Sequence, residues 1–288
     1  MNLILASILI FFIMILGLIP FPLLYFYSDL LYWVLYRVFG YRKKVVLANL
    51  TGAFPEMERK YLKRIIKKTY KNFTDILLEG IKGFTMSHDQ VFRRHRVLNP
   101  EILDPFRASG KSIITVPSHY GNWEWGALSA GLYLEDYSIV AFYKPLTNPY
   151  ADRFMRKNRS RTGTFLASIY KTSSTFKDYS NKRTLFIMAA DQSPSNARNA
   201  VWVDFLGRKT AFLHGPEKHA LHDNLPVFFV DIQREKRGFY TLELSLIAEN
   251  PAELMPGELT RRYAGKLEEV IRKKPEDWLW THRRWKLT

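Results

Sequence analysis

From Ser112 onward, short apolar runs alternate with stretches of helical periodicity, and this alternation restricts the chain to few architectures. The strand-like runs are Ser112 to Val116, Ser138 to Tyr143, Thr164 to Ala167, Thr184 to Ala190 and Val227 to Gln233. Helical patterns fill the gaps at Asn122 to Leu132, Pro149 to Arg161, Thr172 to Ser180 and Pro216 to Asp223. A strand, a crossover helix and a second strand make a unit whose strands run parallel, so the expected fold is α/β, a mostly parallel sheet flanked by helices. Gly238 then opens Phe239 to Ile247, expected to pair antiparallel with the preceding strand through the Lys236-Arg237-Gly238 turn. A helix from Gly257 to Lys273 and a tail from Pro275 to Thr288 complete the chain, with no repeat, low-complexity segment or interdomain linker.

The first of these strands ends at Pro117 and is followed by Ser118-His119-Tyr120-Gly121-Asn122-Trp123-Glu124-Trp125. Gly121 permits a tight turn and Asn122 is a helix N-cap residue, so His119 is expected on the loop and Glu124 in the first helical turn. On a continuous helix, residues five apart point about 140° away from each other. The loop-to-helix break is what allows an imidazole and a carboxylate to meet, and a strand terminus in an α/β sheet is where acid/base sites collect.

Residues 1 to 28 carry no charged side chain, and Met1 to Ile19 is almost wholly Leu, Ile, Phe, Met and Ala. Nineteen helical residues reach roughly 28 Å, just enough for a bilayer core. Without a basic n-region or a small-x-small cleavage site the segment reads as a retained anchor rather than a signal peptide. Phe21 to Tyr36 holds Tyr25, Tyr27, Tyr32, Trp33 and Tyr36, a composition of the headgroup level, and Arg37, Arg42, Lys43 and Lys44 follow. Residues 1–36 are therefore expected to form a transmembrane or interfacial anchor and 37–288 the catalytic domain. A spanning anchor places the remainder in the cytoplasm by the positive-inside rule.

Lys and Arg number 43 against 27 Asp and Glu, a net charge of +16 that favours acidic partners. From Glu56 to Gly80 the apolar positions Leu62, Ile65, Ile66, Thr69, Phe73, Ile76 and Leu77 recur at three and four, with Lys60, Lys63, Arg64, Lys67, Lys68 and Lys71 opposite. A basic amphipathic helix beside an apolar anchor fits either a phosphate-rich surface or ordinary solvation. Arg93, Arg94, His95 and Arg96 add a second basic cluster. With no cysteine, disulfides, thiolate metal sites and cysteine nucleophiles are excluded. Gly110-Lys111-Ser112 lacks the first glycine and the strand-loop-helix order of a phosphate loop, and His214, His219 and His222 match no metalloprotease spacing. No G-x-S-x-G elbow occurs, and no helix-turn-helix or RNP signature supports nucleic-acid binding.

Beyond the His-x4-Glu spacing, several blocks carry a specific likeness. They are Val45, Asn49-Leu50 and Phe54-Pro55-Glu56; Tyr143-Lys144-Pro145 with Asn148-Pro149 and Arg159; Asp191-Gln192; Phe205-Leu206-Gly207; and the tail Pro275-Glu276-Asp277-Trp278-Leu279-Trp280-Thr281-His282-Arg283-Arg284-Trp285-Lys286. From about Leu31 to Lys286 the chain resembles the bacterial late acyltransferases of lipid A biosynthesis, the lauroyl and myristoyl transferases, within the wider lysophospholipid and glycerolipid acyltransferase superfamily. Lys144 stands where that family usually has arginine and Trp285 where phenylalanine is common; lysine keeps the charge but loses bidentate geometry.

The resemblance implies a glycerol-3-phosphate acyltransferase-like domain. It also implies transfer of a fatty acyl chain from acyl carrier protein to a hydroxyl of the Kdo-bearing lipid A precursor, with no cofactor beyond that donor. Expected partners are acyl carrier protein, the phosphorylated precursor and the membrane, with the catalytic domain on the cytoplasmic face of the inner membrane. His119 is the expected general base and Glu124 its orienting carboxylate, while Arg159 serves either the oxyanion or a phosphate. Asn122, Lys144, Asp191, Gln192, Arg283 and Arg284 are the expected substrate contacts, Arg283 and Arg284 as a headgroup site or as part of a packed tail. The alternatives are the same chemistry on another glycolipid or lysolipid hydroxyl, and a non-catalytic basic membrane adaptor.

Overall fold

A computed structural model describes residues 3–198 and 200–287. The helices in chain order are α1 (Leu3–Leu18), α2 (Phe21–Tyr32), α3 (Lys43–Ala53), α4 (Arg59–Lys82), α5 (His88–Arg94), α6 (Asp104–Ala108), α7 (Gly126–Tyr133), α8 (Pro149–Arg159), α9 (Thr172–Asp178), α10 (Gly215–Asp223) and α11 (Glu258–Lys273). The strands are β1 (His95–Val97), β2 (Ile113–Pro117), β3 (Ser138–Tyr143), β4 (Phe165–Ser168), β5 (Thr184–Ile187), β6 (Ala200–Phe205), β7 (Arg208–Leu213), β8 (Val227–Lys236) and β9 (Phe239–Ala248).

Among the described residues, seven strands form one sheet in the order β1-β9-β8-β2-β5-β3-β4. β8, β2, β5, β3 and β4 run parallel, and β9 turns back antiparallel on β8 through Arg237 and Gly238. The expected α/β class and the closing hairpin are both present. β2 lies in the middle, which is why Ile113 to Val116, three aliphatic residues and a threonine, is buried throughout rather than at alternate positions: both faces are covered. On one face Ile114, Val116, Phe186 and Phe229 pack with Tyr263, Leu267 and Ile271 of α11. On the other, Ile113, Leu185 and Phe228 pack with Phe106 and Leu128. Truncating such a side chain, Ile114→Ala for example, removes about 2–5 kcal/mol.

Two elements were not foreshadowed by periodicity. β6 and β7 form a separate hairpin closed by Leu206 and Gly207, both at positive φ (52° and 71°). Leucine is an unusual residue for such a turn. Here burial and a 2.6 Å bond from its N–H to Glu268 hold it there. His95 and Arg96, read as part of a basic cluster, begin the edge strand β1. The His95 ring is buried, with Nδ1 on Ser129 Oγ (2.7 Å) and Nε2 on the Asn122 carbonyl (2.9 Å). Burial pushes it down to about 3, so it is a neutral core histidine.

At the N-terminus α1 spans 16 residues, about 24 Å, and among the described residues no helix is long and apolar enough to cross a membrane. A narrow stripe at Ala6, Ile10, Ile13 and Gly17 is turned inward, and the helix lies against α4 and α8. Gly17 is required there, since a Cβ would fall 2.8 Å from Thr85, and its carbonyl accepts from Lys82 Nζ at 2.7 Å. Most other α1 side chains, including Ile4, Phe11 and Leu18, are exposed. α2 continues antiparallel along α4, where Ser28 donates to Asp75 (2.6 Å) and Tyr25 to Glu79 (2.9 Å).

Candidate active site

β2 delivers His119 to the carboxyl end of the sheet, and the chain must then turn sharply beneath Ile232 of β8. Gly121 makes that turn at φ 58°, where a Cβ would lie 2.7 Å from the Ile232 carbonyl oxygen. Asn122 caps the helical turn after it, accepting from the Trp125 N–H at 3.2 Å. That first turn is 3-10, Trp123–Trp125, before α7 proper.

The His119 ring is held by residues that come after the adjacent strand β5. Nδ1 lies 2.7 Å from Asp191 Oδ1, the His119 backbone N–H donates to Asp191 Oδ2 at 2.9 Å, and Nε2 lies 3.0 Å from Gln192 Nε2. Trp278 Nε1–H completes the shell of Asp191, donating to Oδ2 at 3.0 Å. Burial alone would raise the Asp191 carboxyl, which is 2 % exposed, but the charge and hydrogen bonds of His119 hold it below the usual range. An ionised carboxylate only accepts, so Nδ1 carries the ring proton and Nε2 presents a lone pair, which the Gln192 amide N–H meets. Burial also depresses the imidazole, and the Asp191 charge and hydrogen bond, with a smaller contribution from Glu124, more than offset it; the net shift is upward.

Glu124 is therefore not the group that orients His119. The 3-10 turn carries it over Gly80 of α4, where Oε2 accepts from Arg159 at 2.6 Å and Oε1 from Trp123 Nε1 at 3.1 Å. Nδ1 points the other way, toward β5. Glu124 and Arg159 form a partly exposed ion pair beside the histidine, and the guanidinium has further N–H groups to offer.

The expected substrate contacts separate by burial. Asn122 is fully buried, with its side-chain nitrogen on Glu79 (2.7 Å) and its carbonyl on His95, so it supports the loop and cannot meet substrate. Asp191 and Gln192 address the His119 ring. Lys144, after β3, and Arg283, in the tail, are exposed. Arg284 is inside the protein, donating to the Ala211 carbonyl at 2.7 Å over the Phe212 ring at 4.3 Å, and burial pushes it down to about 10. The headgroup reading of Arg284 is thus corrected: of the two neighbouring arginines, Arg284 is buried and Arg283 faces out.

The tail itself is a strap on the His119 loop. Gly121 N–H donates to the Asp277 carbonyl (3.0 Å) and Leu279 N–H to the His119 carbonyl (3.1 Å). His282 Nε2 accepts from the Ser193 N–H at 3.0 Å, and burial pushes that imidazole down to about 4, keeping it neutral. Asn49 of α3 donates to the carbonyls of Trp280 (2.9 Å) and His282 (2.8 Å), and Phe205 packs edge-on against Trp278. Blocks far apart in sequence thus close one shell around His119 and Asp191. Periodicity gave no sign of Glu79, a fully buried carboxylate that also accepts from Tyr240 (2.7 Å) and whose pKa burial raises. Its only sequence trace is an acidic residue on the apolar side of a basic helix. Among the described residues no His, Asp or Glu cluster could hold a metal ion.

This arrangement offers an oriented imidazole whose Nε2 lone pair meets the Gln192 amide, with a paired carboxylate and guanidinium beside it. A sequence profile described as bacterial lipid A biosynthesis acyltransferase matches residues 2–287. The chain is also 24% identical over 271 residues, 93% of its length and 87% of the relative's, to the lipid A biosynthesis lauroyltransferase of Escherichia coli strain K12. The chain belongs to the bacterial lipid A biosynthesis acyltransferase family.

Proposed function

We propose that the protein transfers a fatty acyl chain from an acyl carrier protein thioester to a hydroxyl of the Kdo-bearing lipid A precursor, with His119 as general base. The observation that carries this reading is the 2.7 Å bond between His119 Nδ1 and the buried carboxylate of Asp191. It leaves Nε2 as the basic nitrogen, at the mouth of the sheet.

In the reaction the acceptor hydroxyl takes the place of the Gln192 amide at Nε2. Its proton passes to the imidazole as its oxygen bonds to the thioester carbonyl carbon; the C–S bond then breaks and the imidazolium returns the proton to the leaving sulfur. Asp191 stabilises the imidazolium, and a base so placed contributes about 10²–10⁴-fold. The remaining N–H groups of Arg159 face either the oxyanion or a phosphate of the acceptor, with Glu124 fixing the guanidinium. The net charge of +16 suits both an acidic carrier protein and a phosphorylated lipid. The apolar outer face of α1 is taken as the membrane contact, on the cytoplasmic side of the inner membrane.

Purified protein, acyl carrier protein thioesters and the precursor should yield a lipid heavier by one acyl chain in mass spectrometry. No product with any chain length, but product with a lysolipid or another glycolipid, would move the activity to that acceptor.

A further inference from the structure

Besides α1 and α2, a second group of apolar side chains stands exposed at the carboxyl end of the sheet. Leu146 (48 %) comes after β3 and Tyr150 (46 %) opens α8; Ile169 (44 %) and Tyr170 (72 %) come after β4. Because β2, β5, β3 and β4 are parallel, these two connections lie at the same end as His119. Lys144 and Lys171, both exposed, flank the apolar tips. α8, which carries Tyr150 in its first turn, is also one of the helices on which α1 rests.

We infer that the β3–α8 and β4–α9 connections form a second membrane contact, inserting Leu146, Tyr150, Ile169 and Tyr170 into the interface of a bilayer containing anionic lipid. Aliphatic and tyrosine tips beside lysines match the layered chemistry of that interface: hydrocarbon under the tips, headgroup at the phenols, phosphate at the ammonium groups. α8, which begins beside the Leu146 tip and carries Tyr150, is packed against α1, so both sets of exposed apolar side chains belong to neighbouring elements. With contacts on both sides, the mouth above His119 is held down on the bilayer, and a lipid acceptor reaches the base without leaving it. This rests on the membrane reading of α1 and adds to it a surface that an anchor alone does not require.

The chain has no cysteine, so single probes can be placed without removing any native residue. Tyr170→Cys and Phe11→Cys proteins, each labelled with an environment-sensitive nitrobenzoxadiazole dye, are mixed with phosphatidylethanolamine–phosphatidylglycerol vesicles, with and without a nitroxide-labelled lipid. Blue-shifted emission quenched by the nitroxide is expected at both sites. Unlabelled Ile169→Ser/Tyr170→Ser protein is expected to partition into these vesicles about tenfold more weakly, the equivalent of about 1.4 kcal/mol of lost apolar contact. A response at residue 11 with none at residue 170 overturns the inference and leaves the anchor standing. No response at either site removes the membrane reading and the inference with it. A probe at residue 170 that answers to soluble polyglutamate but not to vesicles makes the surface a site for an acidic protein and likewise overturns it.

Discussion

Asp191 meets His119 through two separate hydrogen bonds, one at the ring Nδ1 (2.7 Å) and one from the backbone N–H (2.9 Å). The same carboxylate fixes the tautomer of the ring and the position of the loop that carries it. Its removal has two effects, one on the proton and one on geometry.

The base form of His119 is neutral, and the upward shift caused chiefly by Asp191 favours the protonated form. Below its pKa the residue cannot accept a proton, so the acid limb of kcat/KM against pH is expected above the unperturbed value of about 6.5. A profile measured from pH 5 to 9 checks this.

Asp191→Asn is isosteric but has no charge. Its amide accepts or donates indifferently, so Nδ1 is no longer compelled to hold the proton. A fall in kcat on the order of 10²–10⁴ is expected with KM little changed. The acid limb should move downward, because burial then acts on the imidazole without its counter-charge.

Trp278→Phe keeps an aromatic ring against Phe205 but removes the indole N–H that reaches Asp191 Oδ2. With one donor fewer, the carboxylate holds more charge toward His119, and the acid limb of the rate profile should rise. Stability measured by denaturant should fall by about 1 kcal/mol. A loss of stability with an unmoved pH limb would make Trp278 a packing residue alone.

Much of this was legible in the residues, and the rest was hidden for a physical reason. The strand ending at Pro117, the glycine turn and the Asn122 cap arise from local chemistry, as does the hairpin at Gly238. That Asp191 rather than Glu124 faces His119 depends on β5 lying next to β2, an adjacency across 72 residues that periodicity does not encode. Proximity in sequence favoured Glu124, and a 3-10 turn sends it to Arg159 instead. Arg284 reads as a surface cation by type, and only the packing of the tail on β7 buries it. The Leu206 turn is hidden in the same way, because a tertiary bond to Glu268 sustains a conformation that leucine alone disfavours.

Gly121→Ala tests the local part. A Cβ there meets the Ile232 carbonyl oxygen at 2.7 Å, at a φ of 58°. A cost of about 1–3 kcal/mol in stability is expected, together with lower activity as His119 is displaced. Thermal unfolding and the transfer assay on one preparation measure both.

The central claim is that His119 removes the acceptor proton. Its most direct test is acyl transfer from acyl carrier protein thioester to the lipid A precursor by His119→Ala protein, under conditions in which the unmodified protein turns over. A loss of about 10³-fold or more with retained folding is the predicted result; a rate equal to that of the unmodified protein would contradict the account.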